Sequence, residues 1–249
     1  MAPRLHWMMM DFDTEMIARR FGLEPIPESV VRLTRLIASQ NADLEAVAFV
    51  IIQDPMLTAR LLRLTQPVNK SDLPADESAV EEALMRSGLG VVFLLAMGDL
   101  LIRALIKTFS IMLATQLKPV HPREVAPIHE EHMVSEVNFR GKAVGKIQLR
   151  LTEETGRIMA ARMLGVPMES VSSTGEKDDA VTELVNMVAG NFLSNLADAG
   201  LPCHLTTPTL YRTSEFIMRK VPGGVSERMP FRSPEAKLFL DISVNPWNE

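Results

Sequence analysis

Cysteine is almost missing. Cys203 stands alone in 249 residues, so no disulfide can form within the chain and nothing demands an oxidising compartment. Aromatic residues with a polar handle are as scarce, with two Trp and one Tyr against 16 Met. That balance suits adaptable helical packing better than a sugar- or base-stacking site. Neither sign of charge dominates. With 26 basic and 31 acidic residues the formal net charge is −5, and the chain as a whole has no pull toward nucleic acid or an anionic membrane. The most apolar run, residues 88–98, has only about half the length of a membrane span, and Asp99, Arg103 and Lys107 follow at once. The first residues hold a short apolar stretch closed by Asp11 and Asp13, without the basic, apolar, small-residue order of a signal peptide. The expectation is a soluble, cytoplasmic protein without a nucleic-acid or membrane partner. Its 47% hydrophobic and 23% charged residues are those of a globular chain, and its length suits two domains.

The two halves have different rhythms. In the first, Pro27, Glu28 and Ser29 open a run whose apolar positions Val30, Leu33, Leu36 and Ile37 share one helical face. Residues 41–43 precede an almost wholly apolar helix over 44–52, a pattern of burial. Asp54-Pro55 reads as an N-cap followed by a first-turn proline, and Pro67 ends that helix. A polar loop over 69–76 leads to a helix from Val80, and Gly88 and Gly90 set it off from a long apolar helix to about Leu113. The spacing predicts an all-α bundle of about five helices over residues 1–117. Residues 118–127 hold three prolines and read as a linker or edge. From 128 to 249 the pattern turns α+β with a mainly antiparallel sheet. Residues 133–139 and 143–151 alternate about a turn at Gly141-Lys142, predicting a hairpin. A helix from Thr152 ends before Gly165, a second runs over 178–199, and strands are expected over 209–219 and 236–244. Gly223-Gly224 and residues 230–234 read as turns between them.

The helix over 178–199 breaks local rules. At about 100° per residue, Val181, Leu184, Val185, Val188, Phe192 and Leu196 form its core stripe. Asp179, Glu183, Asn186, Gly190 and Ser194 gather on the opposite side, where spacings of three and four make neighbours. Asn is a mediocre helix former, and a mid-helix Gly costs about 1 kcal/mol relative to Ala. Such exceptions are where function is expected. Gly190 beside Glu183 and Asn186 removes bulk, so another protein's backbone could come close. The same residues have a structural alternative. Asp179 suits the helix dipole, Gly190 suits close internal packing, and Asn186 suits a bond to a neighbouring loop.

The order Asp-x-x-x-Glu-x-x-Asn-x-x-x-Gly-Asn, carried by Asp179, Glu183, Asn186, Gly190 and Asn191, resembles the signature helix of the CheX/CheC chemotaxis phosphatases. The hairpin at Phe139-Arg140-Gly141, the helix from Thr152 to Gly165 and the segment Thr207-Pro208-Thr209 resemble that family in the same order. The resemblance implies an α+β domain over 128–249 that removes phosphate from the aspartyl phosphate of a CheY-like response regulator. Glu183 and Asn186 then carry catalysis, with Asn186 orienting water and Glu183 docking on a partner cation. Asp179, Gly190 and Asn191 belong to partner docking. The chain itself binds no cofactor or metal, and Mg²⁺ is expected in the partner. Only one signature helix is found, so the single-site CheX-like form fits, and that form implies a homodimer. A non-catalytic scaffold that binds a regulator without turnover is the alternative. In the first half, Leu23 to Glu28, Leu44 to Ala48 and the stretch Gln53-Asp54-Pro55-Met56-Leu57-Thr58-Ala59-Arg60-Leu61-Leu62 resemble the start of an HDOD domain, shortened near Leu113. No His lies between His6 and His121, so a metal-dependent hydrolase is not expected there, and the implied role is protein contact in signalling.

Other candidates are weaker. His129 and His132 sit three apart, not the four of a helical zinc site, and fit a solvated edge. Cys203-His204 lacks an acid partner and fits packing at a strand. Arg32, Arg35, Arg60 and Arg63 fit solvated faces of amphipathic helices. Gly88-Leu89-Gly90 lacks the Lys-Ser/Thr of a phosphate loop.

Overall fold

The computed structural model describes residues 26–38, 43–65, 77–171 and 174–245. The expectations for the first 16 residues, for residues 23–25 of the HDOD-like pattern, for Asn41, for Pro67 and for the loop 69–76 lie outside the described residues. Six helices and seven strands are described. Helix α1 (Glu28–Ala38) buries Val30, Leu33 and Ile37. Helix α2 (Leu44–Ile52) is capped by Asp43, whose side chain accepts from the Glu45 N–H, and buries Val47, Ala48, Val50 and Ile51. Helix α3 (Pro55–Thr65) starts at Asp54, whose carboxylate accepts from the N–H groups of Met56 (2.9 Å) and Leu57 (3.2 Å). Asp54 also takes a 2.6 Å bond from Ser29 Oγ, so one cap fixes two helices.

Helix α4 (Glu77–Leu113) is continuous apart from a kink at Gly88, whose φ of 69° is open to glycine and strained for other residues. Counted across that kink, the described residues of the bundle hold the five helical pieces expected. The apolar run at 88–98 continues into Leu100, Leu101, Ala104 and Leu105, all buried. The helix as a whole is therefore long and apolar enough to cross a membrane by length and composition, with mean hydropathy 2.2 over its best window. In this fold 61% of that window is buried, and Val92, Leu95, Met97 and Leu100 are among its fully buried residues.

The sheet has the order β1-β6-β7-β3-β2-β4, with β5 also on β2. All its pairs are antiparallel. The strands are β1 (Lys118–Pro119), β2 (His132–Gly141), β3 (Val144–Leu151), β4 (Cys203–Leu205), β5 (Thr209–Thr213), β6 (Val225–Arg232) and β7 (Lys237–Asn245). The hairpin pairs Met133 with Leu151 and Phe139 with Gly145. Helix α5 (Glu153–Leu164) has Thr152 as N-cap and left-handed Gly165 as C-cap. Helix α6 (Thr174–Asp198) starts before the expected Asp178.

Two expectations about the strands need correction. The strand expected over 209–219 stops at Thr213, and residues 214–221 run as a strap over the sheet, held by side chains beneath them. Residues 230–234 were expected as a turn, yet Pro230 lies inside β6. Its carbonyl accepts from the Val120 N–H at 3.0 Å, so its missing N–H also points to the β1 side and the ladder to β7 loses nothing. The segment 118–127 is folded against the sheet. Lys118 and Pro119 pair with β6, and Val125 is buried in a small cluster with Ile128 and Phe239.

Alternation along the strands sorts side chains to two faces. Met133, Val137, Phe139, Ile147, Leu149, Leu238, Leu240 and Ile242 join one hydrophobic core with residues of α1 to α4 and α6. Helix α4 is the shared element, since it packs on α1, α2 and α3 and also on α5, α6, β6 and β7. A polar bolt reinforces the junction. Arg60 of α3 donates from Nη1 to the Leu95 carbonyl at 2.9 Å and from Nε to Glu227 of β6 at 3.2 Å, and its Nη2 also bonds Glu227. Arg63 adds a 3.1 Å bond to the same carboxylate. Gly98 makes room, because a Cβ there would lie 1.7 Å from Arg60 Nη2.

A candidate docking and catalytic face on helix α6

Helix α6 lies on the inner face of the sheet. Val181, Leu184, Val188 and Phe192 are at most 1% exposed, so the stripe expected to be core is core, and Phe192 meets Phe139 edge to face at 5.5 Å. One flank is bonded to α4. Asn191 Nδ2 donates to Thr108 Oγ1 at 2.9 Å and Asn195 Nδ2 to the Leu100 carbonyl at 3.4 Å. The two helices therefore run antiparallel, and the end of α4 that carries exposed Ile111 and Met112 runs toward the Glu183 end of α6.

The opposite face is open. Asp179 and Glu183 are exposed, and Asn186 and Gly190 are half-buried. Among the described residues none of the side chains of Asp179, Glu183 and Asn186 has a hydrogen-bond or ion-pair partner. A Cβ built on Gly190 would have no atom within 4 Å, so this glycine does not serve internal packing. The structure thus brings together Asp179, Glu183, Asn186 and Gly190. It does not bring Asn191 with them. That residue, expected in the docking group, is turned about 120° around the helix and engaged with Thr108.

The first turns of α6 are fixed by a cluster that the sequence did not reveal. Arg212 of β5 grips both oxygens of Asp178, Nη2 to Oδ1 at 2.7 Å and Nη1 to Oδ2 at 3.0 Å. Its Nε donates to Glu153 Oε1 at 2.5 Å, and Lys177 bonds the other oxygen of Glu153. Burial alone pushes the Glu153 carboxyl upward, but the bonds from Lys177 and Arg212 outweigh it and hold the carboxyl below its ordinary range. Bonds to Asp178 and Glu153 push the Arg212 guanidinium upward, so it stays charged. The adjacent acids Asp178 and Asp179 do different jobs because neighbours on a helix point about 100° apart. The one available signal was Lys177, a charged residue close to the core stripe.

The remaining candidates are structural. His132 is buried. Its Nε2 lies 3.3 Å from Arg150 Nη1, and an arginine only donates, so Nε2 accepts and Nδ1 donates to the Glu130 carbonyl at 3.0 Å. Burial pushes the Cys203 thiol up, which keeps it protonated and a poor nucleophile. Among the described residues no three His, Cys, Asp or Glu side chains converge as a metal site. An open cleft of about 830 Å³ in the helical half is lined by Arg32, Arg35, Phe49 and Glu81 among others, on elements separate from the α6 face. What the α6 face offers is therefore two free carboxylates, a free carboxamide and a low spot.

Comparison with known proteins bears on both halves. Residues 133–232 match the family model described as chemotaxis phosphatase CheX, and residues 23–125 match that of the HDOD domain. Comparison with curated proteins found no match. Among solved structures, the chain is similar to the chemotaxis protein CheX from Vibrio vulnificus, at 23% identity and TM-score 0.50, over 60% of this chain and 96% of that one. A CheC-like superfamily protein from Shewanella sp. PV-4 is similar at 22% identity and TM-score 0.52, over 60% and 97%. A chemotactic CheC-like protein from Shewanella oneidensis is similar at 21% identity and TM-score 0.50, over 59% and 96%. The class is thus a two-part chain, an HDOD-like helical segment followed by a CheX-like α+β domain.

Proposed function

We propose that this chain acts in chemotaxis-type signalling in the cytoplasm and dephosphorylates the aspartyl phosphate of a CheY-like response regulator at the α6 face. The observation that carries the reading is the open stripe of Asp179, Glu183, Asn186 and Gly190, polar side chains without internal partners on a helix whose other faces are fully engaged. An acyl phosphate is already activated, so the enzyme needs no nucleophile of its own. Water attacks phosphorus in line, the bond from phosphorus to the aspartyl oxygen breaks, and inorganic phosphate leaves a regenerated carboxylate. Mg²⁺ in the partner offsets charge on the phosphoryl oxygens. The Asn186 carboxamide both accepts from and donates to that water, which fixes its line of approach. Glu183 meets a cation of the partner, and Gly190 lets the partner's backbone come close. A homodimer belongs to the same proposal, as the CheX-like form implies.

The test mixes the chain with an acyl-phosphorylated regulator and Mg²⁺ and follows phosphate release. Asn186→Ala is expected to slow release severalfold to a hundredfold, the equivalent of about 1–3 kcal/mol of water orientation. Release as fast as wild type overturns the role of Asn186. Binding of the regulator with no change in its phosphate lifetime replaces the enzyme by the scaffold.

A further inference from the structure

Resting on the phosphatase reading above, we infer that Arg212, on a different element from the face itself, is a positioning residue that sets the orientation of the docking end of α6. Thr174, Gly175 and Glu176 at the start of this helix are exposed, and the core stripe begins only at Ala180 and Val181. Between them lie Lys177, Asp178 and Asp179, and the first two are tied. Asp178 takes the two-pronged grip of Arg212 at 2.7 and 3.0 Å, and Lys177 bonds Glu153, which Arg212 also holds. A planar fork on both oxygens of a carboxylate fixes direction as well as distance, which a lysine contact does not. Arg212 sits opposite Met133 in the β5–β2 ladder, so it refers the helix start to the sheet. With Asp178 held toward the sheet, Asp179 is turned about 100° away, into solvent, and Glu183 follows one turn later on the same side. The cluster is only partly buried, with Arg212 at 27% and Asp178 at 25% exposure, so such pairs contribute little to global stability. What they supply is a fixed azimuth for the two acids that meet the partner first.

Steady-state dephosphorylation of the acyl-phosphorylated regulator tests this with Arg212→Gln, Asp178→Asn, their double variant and Arg212→Lys. Amide hydrogen exchange over residues 177–183 and thermal unfolding accompany the kinetics. Each single variant is expected to raise KM about three- to tenfold while kcat stays within about twofold, because docking is disturbed and the water-orienting turn is not. The double variant is expected to be no worse than Arg212→Gln alone, since the Arg212–Asp178 contact is already lost there. Arg212→Lys is expected to recover part of the KM. Exchange is expected to quicken over 177–183 and not over 188–196. A wild-type KM in either folded variant overturns the inference, as does a rise in KM joined by falls in kcat and unfolding temperature, which marks a purely structural residue. An active wild type with those results overturns the inference alone. A wild type without effect on the phosphate lifetime overturns the phosphatase reading itself, and the role of Arg212 with it.

Discussion

Two polar surfaces of this chain look alike in composition and differ in every physical respect. On the outer face of the sheet, Arg150 and Asp241 are each 1% exposed and paired at 2.8 Å. Arg228 adds two bonds to Asp241, at 2.7 and 2.6 Å. Gln148 donates to Glu136 at 2.7 Å, and Lys146 pairs with the other oxygen of Glu136 at 2.7 Å. The strap 214–221 closes over them. Arg228 Nη1 donates to the Phe216 carbonyl at 3.0 Å, Arg150 bonds the Ile217 carbonyl, and the Arg228 guanidinium lies 3.9 Å from the Phe216 ring centroid. Each of these charges has a partner, so the face beneath the strap is finished. On α6, Asp179, Glu183 and Asn186 have none among the described residues. Polar side chains with all their bonds made hold a fold together. The same types with bonds unmade, on a helix whose other sides are committed, wait for something else.

The largest effect that separates the two is in stability. Asp241→Ala leaves Arg150 charged and buried without its partner, and breaking such a pair costs about 3–5 kcal/mol. Urea unfolding is expected to move accordingly. Asn186→Ala is expected to stay within about 0.5 kcal/mol of wild type while slowing phosphate release. If Asp241→Ala unfolds at the wild-type midpoint, the outer face is not the fastening described. If Asn186→Ala costs as much as Asp241→Ala, the α6 face is structural after all.

Much of this contrast could be read from the sequence, and unevenly. The α6 face was legible because helical periodicity sorts Asp179, Glu183, Asn186 and Gly190 onto one side without any knowledge of the neighbours. The hairpin, the Thr152 cap and Gly165 were legible for the same local reason. The outer face was not. Arg150, Gln148 and Glu136 alternate with apolar residues as an exposed strand face would, and only the strap, itself expected to continue a strand, turns that face into an interior. Pro230 misled because proline is tolerated in a strand only where its missing N–H points to a sheet edge, a fact of register. Asn191 followed the family order, yet its direction depends on α4. Arg212 and Asp178 are 34 residues apart, beyond the reach of any local pattern.

A second, smaller effect concerns the junction of the two halves. Glu227 is 5% exposed and faces Arg60 and Arg63. Glu227→Ala leaves Arg60 without its carboxylate partner at a cost of about 1–3 kcal/mol. Gly98→Ala is expected to cost a similar amount, because its Cβ would displace the same guanidinium. The two together are expected to cost much less than their sum, since both remove one interaction. Additive losses in unfolding midpoints would mean that Gly98 and Glu227 act separately and that no bolt exists.

Gly190→Ala runs the other way. With open space at its Cβ, alanine is expected to stabilise α6 by about 0.5–1 kcal/mol and to weaken binding of the regulator by adding bulk where the partner comes close. A gain in thermal stability with unchanged affinity removes the glycine from the docking face.

The smallest expected effect lies in the cluster at the start of α6, which stands between the finished face and the open one. It is fully paired like the former and partly exposed like the latter. Glu153 is the group to titrate, because burial raises its carboxyl and the bonds from Lys177 and Arg212 bring it below the ordinary range. A carboxyl lowered on folding stabilises the native state at pH values above its unfolded value. That contribution fades as the pH falls through the folded value, where protonation removes the acceptor. Acidification from neutral to below the ordinary carboxylate range is therefore expected to quicken amide exchange over residues 177–183, once the intrinsic pH dependence of exchange is divided out. Glu153→Gln is expected to show the quickened exchange already at neutral pH and to lose most of the pH response. Solvent screening keeps the effect on global unfolding small, so the local exchange rate is the sensitive measure. An unchanged pH response in Glu153→Gln would assign the titration to another group and leave the docking end of α6 held by Asp178 alone.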